Sequence, residues 1–362
     1  MAEWSRMVNT TISEYVKGEE VNILRNRKLL DLAQSKGRIS FNHGGLSFVK
    51  RVRFKRAPIV GYADGDTLTF SRRDRWKTSE LEWRGYSATD AVTKKEQLMN
   101  KGTEQIVNVF SEMTKSLMDD MKDQFGDEMY VDGNATGNTK RIHGIESFMG
   151  TSGAASNGYI GTPSDTYANL RTDLGYYGGS WSTSGGNSIW PQGTGDAAYD
   201  FWSPTIVDYT DGSFAASSDT WANNAIEALR YGIIRSRKNK TKDGQLDLIL
   251  LDDELYRLFL GANDSKQQVN VNRNEKTGLT ALGWGDVINF EGVDLTYEYG
   301  MPTNVGYGFN TMQMMLMSLQ SQLFKATGPE YNIEDQSYRV LIDFFGNCWW
   351  NPRYFCKWVA IT

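Results

Sequence analysis

Histidine is the side chain most often used as a general base near neutral pH, and this 362-residue chain has only two, His43 and His143. Neither has a serine, cysteine or carboxylate at a spacing typical of a nucleophile–base pair. Phosphate-binding loops are also missing, since no G-x-x-x-x-G-K-[ST] occurs and "GWGDVIN" departs from G-x-G-x-x-G at its last position. We therefore predict no catalytic residues and no bound cofactor.

The candidate metal ligands are equally sparse. Cys348 and Cys356 have neither a C-x-x-C spacing nor a second pair of ligands, which favours buried free thiols. The segment "DGNATGNTKRIH", starting at Asp132, imitates a calcium loop, but His143 stands where a bidentate glutamate is required. We predict no metal site.

Two adjacent acidic pairs, Asp119-Asp120 and Asp252-Asp253, are the remaining candidates for acid–base chemistry. Neighbouring positions on a helix point about 100° apart, so the two carboxyl groups of a pair do not face one substrate. Solvated faces or helix caps explain these pairs better, and we predict that the chain is not an enzyme.

The charge is unevenly distributed along the chain, although the net charge is only −5. From Met1 to Tyr86 there are 17 Lys and Arg against 10 Asp and Glu, whereas the rest has 22 against 34. An uneven solvated surface is one explanation, and a basic segment of one copy lying on an acidic surface of another is the second. No apolar run approaches the 18 residues of a membrane span, and two cysteines fit synthesis in a reducing cytoplasm.

The first half of the chain predicts a helical arm, a hairpin and a long helix. A loose helical pattern covers residues 5–35. In "LSFVKRVRFKRAPIVGYADGDTLTFSRRDRW", 46–76, two alternating runs flank the turn residues "ADGD", which predicts a two-stranded hairpin with one strongly basic face. "SELEWRGY", 79–86, is read as a further strand. From Thr103 to Gln124 apolar residues recur every three or four positions, namely Ile106, Phe110, Met113, Leu117 and Met121.

The second half predicts a loop-rich region followed by a mixed α/β region. Residues 151–218 are rich in Gly, Ser and Thr, but interleaved Tyr and Trp favour an ordered region. A capped helix is expected in 217–237, a buried strand in 246–251 and a helix in 252–260. Strands are expected in "FEGVDLTYEYGMP", "MQMMLMSL", "SYRVLIDFFGNCWW" and "RYFCKWVAIT".

The last nineteen residues, "FFGNCWWNPRYFCKWVAIT", contain seven aromatic side chains. A disordered tail is polar, so this segment must be buried. Asn351-Pro352 predicts a turn between two strands, because proline fixes its own φ and restricts the preceding residue.

The order of these elements resembles the major capsid protein of tailed bacteriophages, the Hong Kong 97-like fold, over essentially the whole chain. "QIVNVFSEMTKSLMDDMKDQFGDEMYVDG" followed by "RIHGIESFM" is similar to the family's spine helix and the segment after it. "TPSDTYANLRTDLGYYGGSW…YDFWSPTIVDY" is similar to a loop-rich stretch of one capsid subgroup, and "GNCWWNPRYFCKWVAI" to the closing strands with their N-P-R turn.

The resemblance implies an α+β fold with five regions. These are an N-terminal arm (1–37), an extended loop (38–78), a peripheral domain with the spine helix (79–150), an axial domain (151–319) and closing strands of the peripheral domain (320–362). It implies that the aromatic ending forms the last two strands of the peripheral sheet, beneath the spine helix.

Three sets of residues follow as structural sites. The loop's expected inter-subunit contacts are Lys50, Arg51, Arg53, Lys55, Arg56, Arg72 and Arg73. The expected peripheral core and turn are Phe344, Trp349, Trp350, Asn351, Pro352, Arg353 and Trp358. The expected spine-helix core is Ile106, Phe110, Met113, Leu117 and Met121.

The implied function is self-assembly into hexamers and pentamers of an icosahedral head that encloses double-stranded DNA non-specifically, without a membrane. The implied partners are the portal, a scaffolding protein and decoration proteins; with about 37 residues before the loop, we expect the scaffold to be a separate chain. An encapsulin-like compartment shell is one alternative. A carbohydrate-acting enzyme that uses the Trp- and Tyr-rich loops of 159–221 is another, and it requires two carboxylates facing one aromatic cleft.

Overall fold

A computed structural model describes residues 27–53, 57, 59–72, 75–99, 109–151, 160, 166–172, 202–214, 220–237, 244–264 and 287–361. Its helices are α1 (Lys28–Ser35), α2 (Lys94–Met99), α3 (Val109–Glu128), α4 (Trp221–Ser236) and α5 (Asp253–Asp264). Among the described helices, none is both long enough and apolar enough to cross a bilayer.

The strands fall into two larger sheets and two short pairs. The first sheet contains β1 (Ile39–Ser40), β4 (Arg84–Thr93), β12 (Met314–Ser318), β13 (Lys325–Asn332) and β14 (Ser337–Trp350). The second sheet has the order β7 (Thr205–Asp208), β15 (Cys356–Val359), β11 (Gly306–Phe309), β8 (Leu248–Leu251), β10 (Val293–Tyr297) and β9 (Ile288–Phe290). The pairs are β2 (Ser47–Arg53) with β3 (Trp76–Glu82), and β5 (Thr166–Tyr167) with β6 (Leu170–Arg171).

The long strand β14 organises the first sheet. It pairs antiparallel with β4 along one edge, and with β13 and then β12 along the other. Helix α3 packs on one face of this sheet, where the rings of Phe125 and Phe344 lie 4.8 Å apart and form a T-shaped contact. The apolar side chains of α3 therefore face the sheet, as the amphipathic spacing of its sequence predicts.

Helices α4 and α5 pack against each other and against the second sheet. The backbone of α4 approaches Trp358 so closely that a Cβ at Gly232 would lie 2.5 Å from the indole ring. The helices expected in 217–237 and 252–260 and the strand expected in 246–251 are confirmed, but no side-chain hydrogen bond between described residues caps the start of α4.

The two sheets share the aromatic ending of the chain. Phe344 lies beneath α3, as expected, but β15 pairs with β7 and β11 in the second sheet. The expectation that both closing strands lie in one sheet is therefore wrong. A one-turn 3-10 helix, Pro352–Tyr354, lies between them, and its first residue is the proline of the predicted turn.

Three further differences concern the first half of the chain. The second hairpin strand is Trp76–Glu82 and not the alternating run that includes Leu68 and Phe70. Leu81 of this strand is buried against the core, whereas Leu68 and Phe70 are exposed, so burial of one face selects Trp76–Glu82. The strand expected in 79–86 is divided between β3 and β4. Helix α3 continues to Glu128, past its predicted end.

Parts of several predictions lie outside the described residues. For the helical arm, 5–26 are not described, and α1 accounts for the rest. The start of the spine helix, with Ile106, also lies outside them. In the loop-rich region, Tyr167 and Trp202 are described; both are buried and their rings stack at 6.1 Å.

Candidate assembly surfaces

The hairpin of β2 and β3 has one buried face and one exposed face. Phe48 and Val52 of β2 pack against the main core, and Ser79 and Leu81 of β3 are buried on the same side. Ahead of β3, residues 64–65 form the turn predicted from "ADGD", closed by a hydrogen bond from the Asp66 amide to the Ala63 carbonyl.

Hydrogen bonds fix the base of this hairpin to the first sheet. The Asn347 side chain on β14 donates to the Glu82 carbonyl at 2.7 Å and accepts from the His143 amide at 3.0 Å. The Glu80 amide donates to the Ala168 carbonyl at 3.1 Å. Because the Asn347 side chain is fully buried, loss of its partners would be costly, and the hairpin base is held in one position.

The segment from Phe41 to Trp76 displays an unusual number of exposed apolar side chains. Ile59 is 97 % exposed and Phe70 is 92 % exposed. The other large apolar side chains that this segment exposes are Phe41, Leu46, Val49, Val60, Tyr62, Leu68 and Trp76. Soluble monomers rarely concentrate apolar surface in this way, so the segment is a candidate for contact with another protein surface.

The cationic residues of the hairpin strand β2 are divided between the two faces of the hairpin. Arg51 and Arg53 are exposed and lie opposite Thr78 and Trp76 on β3, so the alternation predicted from the sequence is confirmed. Glu80, which pairs with Val49, lies on this same face, which is therefore mixed and less basic than predicted. Arg72 is exposed, and Lys55, Arg56 and Arg73 lie outside the described residues.

Lys50 lies on the opposite face of β2. Its ammonium group is 3.4 Å from the ring centroid of Trp349, a cation–π contact between the hairpin and β14. Desolvation lowers the pKa of Lys50. Lys50 is therefore an attachment of the hairpin to its own subunit, whereas it was expected among the inter-subunit contacts.

The predicted core residues of the spine helix are buried to different degrees. Met113 and Met121 are buried, Phe110 and Leu117 are half-buried, and Met113 packs with Val92 and Val340 of the first sheet.

The end of α3 is fixed by charge. Glu128, only 3 % exposed, accepts three hydrogen bonds from the guanidinium of Arg141, one from the Tyr86 hydroxyl and one from the Gln124 amide. Burial alone would raise the pKa of Glu128, but these hydrogen bonds hold it below its usual value.

The predicted core residues are divided between two hydrophobic clusters. Phe344, Trp349 and Trp350 lie in the cluster that includes α3, whereas Trp358 lies in the cluster of α4 and the second sheet. Phe344, Trp350 and Trp358 are fully buried, and Trp349 is nearly so. Pro352 and Arg353 in the 3-10 turn are also buried, and Arg353 is only 2 % exposed.

Each histidine contacts a serine hydroxyl: His43 Nε2 lies 2.8 Å from Ser40 Oγ, and His143 Nδ1 lies 3.3 Å from Ser147 Oγ. Cys348 and Cys356 are buried free thiols, as predicted, and burial raises the pKa of each. Desolvation lowers the pKa of His143 to about 4, which keeps its ring neutral. Within the described ranges, no three His, Cys, Asp or Glu side chains converge as metal ligands would.

An open groove of about 880 Å³ crosses β4, β13 and β14. Its wall includes Asp90, Glu330, Tyr331 and Arg339. No described residue of 159–221 lines it, so the groove gives no support to a carbohydrate site built from the Trp- and Tyr-rich loops.

Comparison with known proteins identifies the fold. No protein-family model and no curated protein matches the sequence. The capsid asymmetric unit of cyanophage A-1(L) superposes with a TM-score of 0.63 at 13 % identity, covering 97 % of both chains. The capsid of Myoviridae phage XM1 gives 0.55 at 11 % identity over 97 % of this chain and 98 % of that one. The capsid of a native GTA particle gives 0.55 at 9 %, over 98 % and 96 %. The chain has the mixed α+β fold of phage capsid proteins.

Proposed function

We propose that the chain is the major capsid protein of a tailed phage, with a Hong Kong 97-like fold. In this proposal it forms hexamers and pentamers that close into an icosahedral head around double-stranded DNA, which it contacts non-specifically. The observation that carries the proposal is the exposed apolar surface of the extended loop on a capsid-type fold, since such surface calls for a protein partner. Many identical copies are the simplest source of that partner.

The regions implied by the sequence are part of this proposal. The arm (1–37), the extended loop (38–78), the peripheral domain (79–150 and 320–362) and the axial domain (151–319) would each have a place in the shell. The crossing of β15 into the second sheet ties the closing segment to both halves of the chain. The proposed partners are the portal, a separate scaffolding protein and decoration proteins, and the proposed location is the virion after synthesis in the host cytoplasm.

The first test is assembly of the purified chain. We expect closed shells with hexameric and pentameric capsomers, seen by cryo-electron microscopy after incubation alone or with the proposed scaffolding protein. A monodisperse 40.9 kDa monomer under both conditions would overturn the proposal. Particles isolated from producing cells should contain DNA and bear tails; protein cargo instead would favour the compartment alternative.

The second test changes the exposed apolar side chains of the loop. Ile59→Ser with Phe70→Ser should prevent shell formation, because each copy loses apolar surface that is buried only on assembly. The folded subunit should be unaffected, since both residues are almost fully exposed. Sedimentation velocity measures particles, and circular dichroism measures folding.

The matched control for this pair is Ile234→Ser with Leu98→Ser, two exposed apolar residues outside the loop. Their substitution should leave assembly near wild type. Equal loss of particles in both double variants would show that the loop has no special part in assembly.

A further inference from the structure

The segment from Arg27 through α1 lies where three elements of the fold meet. The guanidinium of Arg27 pairs with Asp123 and Asp127 of α3, each at 2.8 Å, and donates to the Tyr299 carbonyl at 3.1 Å. Gly126 provides the space, since a Cβ there would lie 2.3 Å from the Arg27 side chain. The segment is thereby attached to both α3 and the chain that follows β10.

The next residue, Lys28, extends this attachment into the second sheet. Its buried ammonium donates at 2.8 Å to both the Thr296 hydroxyl and the Tyr297 carbonyl, and it lies 4.1 Å from the Tyr297 ring centroid. At the far end of α1, Lys36 pairs with Asp247 at 2.7 Å.

A buried carboxyl group lies at the centre of the junction. Glu298 is 2 % exposed, and its Oε2 accepts a hydrogen bond of 2.9 Å from the backbone amide of Leu29 in the first turn of α1. The charged and titratable groups that act on it are Arg27, Lys28 and Tyr130, and Asp127 of α3 acts in turn on Tyr130. Tyr130 is also buried. Burial raises the pKa of its hydroxyl, and the negative charge of Glu298 raises it further.

We propose that Glu298 is a proton-operated latch for the segment Arg27–Ser35: the neutral carboxyl holds the segment docked, and ionisation of the carboxyl favours its release. A neutral carboxyl still accepts the Leu29 N–H through its carbonyl oxygen and carries no charge that must be desolvated. The ionised form gains from Arg27 and Lys28, but it must remain in a site closed to water. Release of α1 would expose the carboxylate to solvent and remove that cost. The latch is a property of the folded chain and does not depend on shell formation.

The direction of the pH effect follows from these energies. Burial raises the pKa of Glu298 to about 7, and the Leu29 amide, Arg27 and Lys28 only partly oppose this shift. The ordinary pKa of the Glu298 carboxyl is 4.5, and its pKa in the docked state is about 7. At pH values between these two, the docked state therefore binds a proton that the released state does not. Docking is strongest on the acid side of this window and weakens as pH rises through it. Between pH 8.5 and 5.5 the docking equilibrium should change by about 30-fold.

The experiment is hydrogen–deuterium exchange of the full chain across this pH range. Exchange rates are corrected for the chemical exchange of unstructured peptide, so that protection reports opening of α1. In the wild type, protection of the α1 amides should rise about 30-fold from pH 8.5 to pH 5.5. Amides of α4 are the internal reference for global stability and should not follow this change.

Two variants separate the latch from general packing. Glu298→Gln keeps an acceptor for the Leu29 amide but cannot ionise, so its α1 protection should be high and independent of pH. Thr296→Val removes a partner of Lys28 and should lower protection at every pH while preserving the 30-fold dependence. A His43→Gln variant is a control for histidine, the side chain that ordinarily changes charge in this pH range.

Three results would overturn the latch. These are wild-type α1 protection that does not change with pH, a Glu298→Gln variant that retains the wild-type pH dependence, and loss of that dependence in His43→Gln. If Glu298→Gln does not fold, the wild-type profile and the His43→Gln profile still decide the question.

Discussion

Subunits that carry Arg51→Glu, Arg53→Glu and Lys55→Glu together are expected to fold but not to close into shells. Arg51 and Arg53 lie on the exposed face of the hairpin, and Lys55 continues the same alternation in sequence. The chain after Tyr86 has an excess of 12 acidic residues, so the surface available to this face in another copy is predominantly acidic. Reversal of the three charges would turn attraction into repulsion at every such contact.

The size of the effect depends on the number of copies. A single contact between exposed charges contributes about 0–1 kcal/mol, so neutralisation of one residue should have little effect. A closed shell repeats the contact in every subunit, and three reversals in each copy act together. Circular dichroism should show a wild-type fold, whereas sedimentation should show subunits or open fragments in place of shells.

The matched control applies the same change of net charge outside the loop. Lys95→Glu, Lys115→Glu and Lys325→Glu reverse three exposed cations on α2, α3 and β13. If this control abolishes closure as fully as the loop variant, net charge and not the hairpin is responsible. Normal particles with wild-type salt sensitivity from the loop variant would exclude the charged contact itself.

Elements with a strong local pattern could be predicted from the sequence. In α3 the apolar spacing gave the packed face, because a helix that covers a sheet must present one stripe of apolar side chains. In β14 the apolar run between two turn signals gave the strand with its correct bounds. The proline of the closing turn was also placed correctly, because its backbone restriction is local.

Features that depend on distant partners could not be predicted in this way. Leu68 and Phe70 alternate as a strand would, yet Leu81 belongs to the strand that pairs with β2, because only that strand buries a face. The short strand β15 has no local signal for its sheet, and only its pairing with β7 and β11 shows that it joins the second one.

The surfaces were partly predictable for the same reason. Arg51 and Arg53 are exposed as their alternation with Val52 indicates. The attachment of Lys50 to Trp349 joins residues about 300 positions apart, and no local pattern carries that information. For Glu298, the sequence shows only a single acidic residue after an apolar strand, which does not predict burial. Its partner Leu29 lies near the other end of the chain.

The substitution Trp358→Ala should produce the largest loss of stability among the variants considered. Trp358 is fully buried in the second sheet, and its indole N–H donates to the Ala228 carbonyl of α4 at 2.8 Å. Removal of the indole leaves a cavity beneath Gly232, where the helix backbone rests directly on the ring. Large-to-small changes of buried tryptophan cost about 3–5 kcal/mol, which is a large part of the stability of an ordinary domain.

The loss of stability at Trp358 should extend through the second sheet, because β15 is a central strand of that sheet. β15 joins β7 to β11, so a cavity at Trp358 weakens the contact between the two halves of the second sheet and the packing of α4 on it. Chemical unfolding should show a lower midpoint, and hydrogen exchange should show faster opening of α4. The matched control is Trp76→Ala in the hairpin, the same chemical change at a half-exposed tryptophan, which should cost less than about 1 kcal/mol. Equal losses of stability in the two variants would mean that Trp358 does not hold the second sheet together. A Trp358→Phe variant should recover part of the stability, because its smaller ring fills part of the cavity, and this result would support the packing role of Trp358.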